Sequence, residues 1–450
     1  MELMTPTDAI FLIGESREHP MHVGGLQLYQ RPPGTTRSFV RHFYDELVAQ
    51  RDFQPTFRKR PAALAGGLAN LAWTEDKDID IDYHVRRSAL ASPGRVRELL
   101  ELTSRLHSSL LDRHRPLWET HVIEGLKDGR FAVYTKVHHA LLDGVSAQKL
   151  MQRALSTDPD DPEIQAVWSL RRRKRLSLPS RGSNSLMHRV GSLAALAPST
   201  VGLARAALFE QQLTLPFGAP RTMFNVKIGG ARRCAAQSWS LTRIKSIKNA
   251  AGVTVNDVVL AMCSGALRYY LIEHGALPDT PLHAMVPVSL RTEEEADAGG
   301  NLVGAILCNL ATDVGDPAVR LQTISDSMRS NKKVLSQLPR PQALALSAMN
   351  MAGLTFAAVP GLVGSTSPPF NIIISNVPGP TEPMYYGGAR LDGNYPFSIA
   401  LDGQALNITL SNHEDNLDFG LVGCRRSVPH LQRLLAHLES SLKDLEHAVS

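Results

Sequence analysis

Two periods organise the apolar positions of this chain. Alternation with period two marks strands, because successive strand side chains point to opposite faces, whereas a 3.6-residue period marks amphipathic helices. Residues 23–29, Val-Gly-Gly-Leu-Gln-Leu-Tyr, alternate like a strand. Residues 95–111 place Val96, Leu99, Leu100, Leu102, Thr103 and Leu106 along one side of a helix. Val122-Ile123 and the run 131–137 predict a hairpin that turns at Lys127-Asp128-Gly129. A helix carrying Val145, Leu150, Met151 and Leu155 follows Gly144.

The pattern breaks at Ser156. Thr157-Asp158-Pro159-Asp160-Asp161-Pro162 is a cluster of helix and strand breakers, followed by the basic run Arg171 to Arg175 and a weakly apolar stretch over 190–209. Residues 156–220 therefore read as a long connection with some helix. Beyond it the periodicity predicts strands at 284–290, 303–310, 370–377, 406–410 and 417–422, the last two joined across His413-Glu414-Asp415-Asn416. It predicts helices at 254–272, 317–338, 342–356 and 429–447. The division is an N-terminal mixed α/β half, 1–155, a linker, 156–220, and a second α/β half, 221–450.

Composition narrows the function classes. A chain of 450 residues with 43% hydrophobic content is large enough for two domains. The formal charge is only +5, which does not call for nucleic acid. Cys234, Cys263, Cys308 and Cys424 are far apart and form no CxxC pair, so neither a disulfide framework nor a cysteine-rich zinc site is expected, and a reducing cytoplasm fits. The first residues lack the basic region and apolar core of a signal peptide, and no apolar run reaches the roughly 20 residues that span a bilayer. Any membrane contact is expected to be peripheral. No GxxxxGK[ST], GxGxxG or GxSxG occurs, which argues against a nucleotide triphosphatase, a nicotinamide enzyme and a serine hydrolase.

The candidate chemistry lies in His138-His139-Ala140-Leu141-Leu142-Asp143-Gly144, between a strand-like and a helix-like run. Imidazole titrates nearest neutrality and suits proton removal. Adjacent strand residues face opposite ways, so one histidine at most faces a given cavity; the aspartate at i+4 selects His139. Other readings remain open: a structural histidine, a metal site weakened by the divergent directions of the two rings, and Asp143 as the N-cap of the next helix.

HHALLDG resembles the HHxxxDG signature of the bacterial wax ester synthase/diacylglycerol acyltransferases, within the wider superfamily of HxxxD acyltransferases that use CoA thioesters. Other segments resemble the family in the same order: Pro6-Thr7-Asp8 with Met21-His22-Val23-Gly24, Arg115-Pro116-Leu117-Trp118-Glu119, Asn256-Asp257, Pro287-Val288-Ser289-Leu290-Arg291, Ser375-Asn376-Val377-Pro378-Gly379-Pro380, and Gly403-Gln404-Ala405-Leu406-Asn407-Ile408. The ordered set covers nearly the whole chain except the linker.

The resemblance implies two chloramphenicol-acetyltransferase-like mixed α/β halves, an active-site tunnel between them and a crossover linker. It implies a long-chain acyl-CoA:alcohol O-acyltransferase making triacylglycerol from diacylglycerol, or wax esters from fatty alcohols. His139 is the implied general base and acyl transfer is direct. Asp143 serves as an anchor of loop and ring, Asn256 as oxyanion donor, and Arg291 as the ionic partner of Asp143. His138, Gly144 and Asp257 take structural roles. Asn256 and Asp257 also read as the capped start of a helix, and Arg291 as a surface arginine. Pro116, Leu117 and Trp118 either shape the substrate passage or pack the core. Leu417-Asp418-Phe419-Gly420 resembles a structural element of related plant acyltransferases, away from the catalytic histidine.

No cofactor or metal is implied; long-chain acyl-CoA is a co-substrate. The basic run fits a solvated linker, a nucleic-acid patch that nothing else supports, or contact with anionic lipid. The lipid substrates favour the last, at a membrane or lipid-droplet surface. A condensation-type acyltransferase would be expected with a carrier domain, and a non-enzymatic lipid-binding relative would be expected to lack His139.

Overall fold

The computed structural model describes residues 1–36, 38–63, 71–170, 216–289, 303–339 and 366–449, with 214, 342–343, 346–347, 349–350 and 363. Arg291, the basic run 171–175, the stretch 190–209 and most of the predicted helix 342–356 lie outside the described residues. Strands in chain order are β1 (Glu2–Leu3), β2 (His22–Gln30), β3 (Lys59–Ala62), β4 (Ala72–Glu75), β5 (Val85–Ala89), β6 (Trp118–Glu124), β7 (Phe131–His138), β8 (Arg232–Ser240), β9 (His283–Ser289), β10 (Val303–Asn309), β11 (Ile372–Val377), β12 (Tyr385–Tyr386), β13 (Ala389–Phe397), β14 (Leu406–His413) and β15 (Asn416–Cys424). Helices are α1 (Pro6–Gly14), α2 (Ser38–Ala49), α3 (Pro55–Arg58), α4 (Ile81–His84), α5 (Val96–Ser108), α6 (Gly144–Arg153), α7 (Leu241–Ala251), α8 (Val255–Glu273), α9 (Pro317–Gln337) and α10 (Arg433–Ala448).

Contacts divide the chain into two compact units. The first joins residues 1–170 with 228–243 and 375–435; the second holds 244–374 and 436–449 together with the described residues of 214–227. The partition differs from the linear division at 155 and 220. The C-terminal part of the sequence supplies a stretch of the first unit, because β13 pairs antiparallel with β2 from Arg390 opposite Gln30 to Phe397 opposite Gly24. The resulting six-stranded sheet has the order β12-β13-β2-β7-β6-β5, antiparallel except for the β5–β6 pair. The predicted hairpin is β6–β7, and Gly129 supplies its positive φ of 86°.

A bulge between Leu391 and Gly393 interrupts β13. Asp392 there accepts from Gln30 at 2.7 Å and from Arg130 at 2.6 Å, which fixes the irregular stretch to its neighbours. In the same unit β15 lies between β14 and β8. Asp418, fully buried on β15, accepts the Asn394 amide of β13 at 2.6 Å. A Cβ on Gly420 would come within 1.9 Å of the Pro396 carbonyl. The LDFG segment is therefore a seam between strands, as its resemblance implied.

One face of β7 meets α5 through polar groups. Lys136 is completely buried, yet its ammonium donates to the Leu106 and Ser109 carbonyls at 3.1 and 2.8 Å, at the C-terminal end of α5, where a cation complements the helix dipole. Glu119 of β6 stands 3.5 Å away. Burial lowers the lysine pKa and Glu119 opposes the shift. In the second unit β10 and β9 pair antiparallel and β11 runs parallel to β9. The largely buried α8 packs on α9, and Ser325 donates to Asp257 at 3.3 Å.

Candidate active site

The loop that carries the paired histidines is tied to both neighbours of β7. His138 donates its amide to the Leu117 carbonyl at 3.0 Å, and His139 donates to the Met21 carbonyl at 2.8 Å. The His138 carbonyl accepts the Leu141 and Leu142 amides at 2.9 and 3.3 Å, which turns the chain toward α6. Sequence and register together thus place the two rings at the end of a central strand, opposite His22 of β2.

The rings diverge, as strand alternation requires. His138 is completely buried. Its Nδ1 accepts the Ala140 amide at 3.1 Å, so the ring proton belongs on Nε2, which faces Glu15 Oε1 at 3.4 Å. His139 is half-buried and stacks on Phe11 of α1, with ring centroids 4.1 Å apart and planes 25° apart. Burial pushes the His139 imidazole down to about 4, and the Asp143 carboxylate opposes that shift. At neutral pH the ring is unprotonated and able to accept a proton.

Asp143 is the N-cap of α6. Its Oδ1 accepts the Ser146 amide at 2.8 Å and its Oδ2 the Ser146 hydroxyl at 2.9 Å. Both oxygens are thereby occupied and the carboxylate acts on His139 through space. Gly144, the first residue of α6, has open space where a Cβ would stand.

The Asn256-Asp257 pair opens α8. Thr254 Oγ accepts the Asp257 amide at 3.2 Å, and Asp257 accepts the Thr254 amide at 2.9 Å, a reciprocal capping box. Asp257 thus caps its own helix. Asn256, one residue earlier, is half-buried and its side chain has no hydrogen-bond partner among the described residues.

The surroundings of Pro116, Leu117 and Trp118 favour core packing over a substrate passage. Leu117 and Trp118 are completely buried. Trp118 stacks between His84 at 4.4 Å and Trp168 at 5.0 Å and donates its indole N–H to the Phe57 carbonyl at 3.0 Å. Leu117 packs with Leu12, Ala140 and partly buried Phe11. Leu117 thus packs against the histidine loop through Ala140, while Trp118 belongs to a separate core cluster.

Sequence reasoning missed three side chains that converge on the loop: Phe11, Glu15 and Arg113. Arg113 Nε and an Nη donate to Glu15 Oε2 at 3.0 and 2.9 Å, while Glu15 Oε1 accepts the Met21 amide at 3.2 Å. Burial acts to raise the Glu15 pKa, but His138, the Met21 amide and Arg113 outweigh it and hold the carboxyl below its usual value. Among the described residues, no cluster of His, Cys, Asp and Glu has the arrangement of a metal site.

A mixed α/β fold with a half-buried neutral histidine at a strand end, followed four residues later by an aspartate that caps a helix, defines the HxxxD class of acyltransferases. The chain belongs to the wax ester synthase/diacylglycerol acyltransferase family: the catalytic domain of that family matches residues 4–259 and its C-terminal domain residues 299–446. A probable diacylglycerol O-acyltransferase of Mycobacterium tuberculosis is 72% identical over the full length of both chains. The O-acyltransferase WSD of Acinetobacter baylyi is 40% identical, over 100% of this chain and 98% of that one. The solved wax ester synthase/diacylglycerol acyltransferase from Marinobacter aquaeolei superposes with a TM-score of 0.80 at 41% identity, over 99% of each chain. The first condensation domain of a calcium-dependent antibiotic synthetase shares the fold, with a TM-score of 0.58 at 18% identity, over 99% of this chain and 96% of that one.

Proposed function

We propose that this acyltransferase joins the acyl group of a long-chain acyl-CoA to diacylglycerol, forming triacylglycerol, and that it also accepts long-chain fatty alcohols. The observation that carries the reading is His139, an unprotonated imidazole half-open at the end of β7 within the family's HHxxxDG loop. The names of the 72%-identical relatives support diacylglycerol as acceptor.

The steps follow from that base. His139 takes the proton of the acceptor hydroxyl while its oxygen attacks the thioester carbonyl. A tetrahedral intermediate forms and its C–S bond breaks. The CoA thiolate recovers the proton from the imidazolium, leaving an ester and free thiol. No acyl-enzyme and no cofactor take part. Asn256 is the proposed donor to the developing oxyanion. Holding two large substrates in register supplies much of the rate.

A lipid surface is the proposed working place, at a membrane or lipid droplet facing the cytoplasm. No single helix among the described residues is long and apolar enough to cross a membrane. Ile10 and Ile13 are exposed on α1, the helix that carries Phe11, the residue stacked on His139. Such an apolar face suits shallow insertion among acyl chains.

Purified protein given acyl-CoA and vesicle-borne diacylglycerol will release thiol in proportion to triacylglycerol formed. A folded His139→Ala variant will lose nearly all of that release; full activity in it ends the base assignment. Hexadecanol added in competition will divide the product between triacylglycerol and wax ester. Ile10→Ser with Ile13→Ser will slow turnover on vesicles but not on a dispersed short-chain acceptor. Equal loss on both would remove the lipid-facing role of α1.

A further inference from the structure

Three features fix the His139 ring, and all three trace back to one carboxylate. The first is the ring's backbone: the His139 amide donates to the Met21 carbonyl at 2.8 Å, and the amide of the same Met21 donates to Glu15 at 3.2 Å. The second is its neighbour: His138 Nε2 faces Glu15 at 3.4 Å while its Nδ1 accepts the Ala140 amide at 3.1 Å. The third is its stacking partner: Phe11 lies on α1, and Glu15 is the residue that ends α1. Arg113 closes the arrangement. It binds Glu15 Oε2 through two nitrogens at 3.0 and 2.9 Å and also donates to the Leu12 carbonyl at 2.7 Å, at the C-terminal end of the helix.

We infer that Glu15, held by Arg113, is a positioning residue that sets the orientation of the catalytic histidine through Met21, His138 and Phe11. The inference rests on His139 being the base. Its physical content is division of labour between two oxygens. Arg113 takes Oε2 and leaves Oε1 for the Met21 amide and the His138 ring. The Glu15 side chain is 1% exposed and that of Arg113 is 33% exposed, so the pair is anchored inside while its cation reaches the surface. A carboxylate so placed is costly to leave unpaired, and this makes the clasp rigid rather than optional. Loss of either partner frees α1 and the Met21 strand end together, and the imidazole loses its stacked face and its backbone tether at once. Misplacement of a reacting group by a fraction of its reach costs up to about 100-fold in rate.

The test compares Glu15→Gln, Arg113→Met, their double variant and Arg113→Lys. Glu15→Gln and Arg113→Met are each expected to lower kcat by about 100-fold with KM for both substrates unchanged, because only the reacting geometry is disturbed. The double variant is expected to be no worse than either single one, since the two side chains act as a unit. Arg113→Lys, which keeps the charge at a half-open site, is expected to recover part of kcat. Amide hydrogen exchange supplies a readout independent of turnover. Peptides covering residues 19–23 and 137–142 will exchange faster in Glu15→Gln, while those of α8 and β9 will not change. His139→Ala separates the two claims: it removes the base yet leaves the Met21 amide protected. Wild-type kcat in folded Glu15→Gln overturns the inference. So does a loss of kcat accompanied by faster exchange throughout the chain, which would make Glu15 a residue of the fold alone. Should Glu15→Gln fail to fold, wild-type kcat in Arg113→Met decides against the clasp.

Discussion

His139, the proposed base, shows how burial sets the working range of an imidazole. Its environment moves the imidazole down to about 4, so the ring stays unprotonated across the neutral range. A base whose pKa is depressed is competent above that value and loses competence as pH falls through it. The acid limb of kcat/KM is therefore expected near pH 4, not near the ordinary imidazole value of about 6.5; a limb at the ordinary value would show that the ring is solvated during turnover. Part of this residue was legible in the sequence. Strand alternation and the i+4 aspartate separate His139 from His138, and the structure gives the two rings different surroundings. Its supports were not legible. Glu15 and Arg113 are 98 residues apart, and no local period links a helix-ending glutamate to an arginine before β6.

Among elements, α6 shows a motif residue doing structural work. Both oxygens of Asp143 are taken by Ser146, so its chief task is to start the helix and fix the turn after His139. Asparagine caps nearly as well as aspartate, whereas alanine costs about 1 kcal/mol at such a site. Asp143→Asn is thus expected to keep the melting temperature and most of the thiol-release activity, and Asp143→Ala to lower both. Equal, near-complete loss of activity in the two variants, with folding intact, would return Asp143 to a proton-transfer role. The elements themselves divide by the clarity of their period. β2, β7, α8, α9 and the β14–β15 hairpin lie close to their predicted ranges. β13 escaped because Arg390, Asp392, Gly393 and Asn394 break the apolar pattern, and their partners are distant strands and ion pairs. α1 escaped because Ile10-Phe11-Leu12-Ile13 is apolar on every side and has no amphipathic signature. Trp118 could be read either way from sequence, as passage or as core; an indole with its N–H satisfied inside a ring stack favours the core.

At the scale of the molecule, the first unit cannot be read as the first third of the chain. Its sheet needs β13, which arrives more than 350 residues after β2 begins, and whose ladder covers β2 from Gln30 to Gly24. Leu391, Tyr395 and Phe397 of β13 are 1%, 8% and 1% exposed. Burying each such side chain stabilises the fold by about 1.5–3 kcal/mol, so three of them together rival the roughly 5–15 kcal/mol that keeps a whole domain folded. Without β13, moreover, β2 becomes an unpaired edge flanking the histidine loop, and the buried Asp418 seam is lost with it. A fragment of residues 1–170 contains HHALLDG, its cap, Glu15 and Arg113, and by motif content alone would look like a self-sufficient catalytic half. The interleaved sheet predicts instead that this fragment, made alone, shows no cooperative thermal transition by circular dichroism, while the full chain does. A sharp transition in the fragment would show that β6, β7 and β2 suffice to hold the loop, and that the late-arriving strand is an addition to the fold instead of a condition for it.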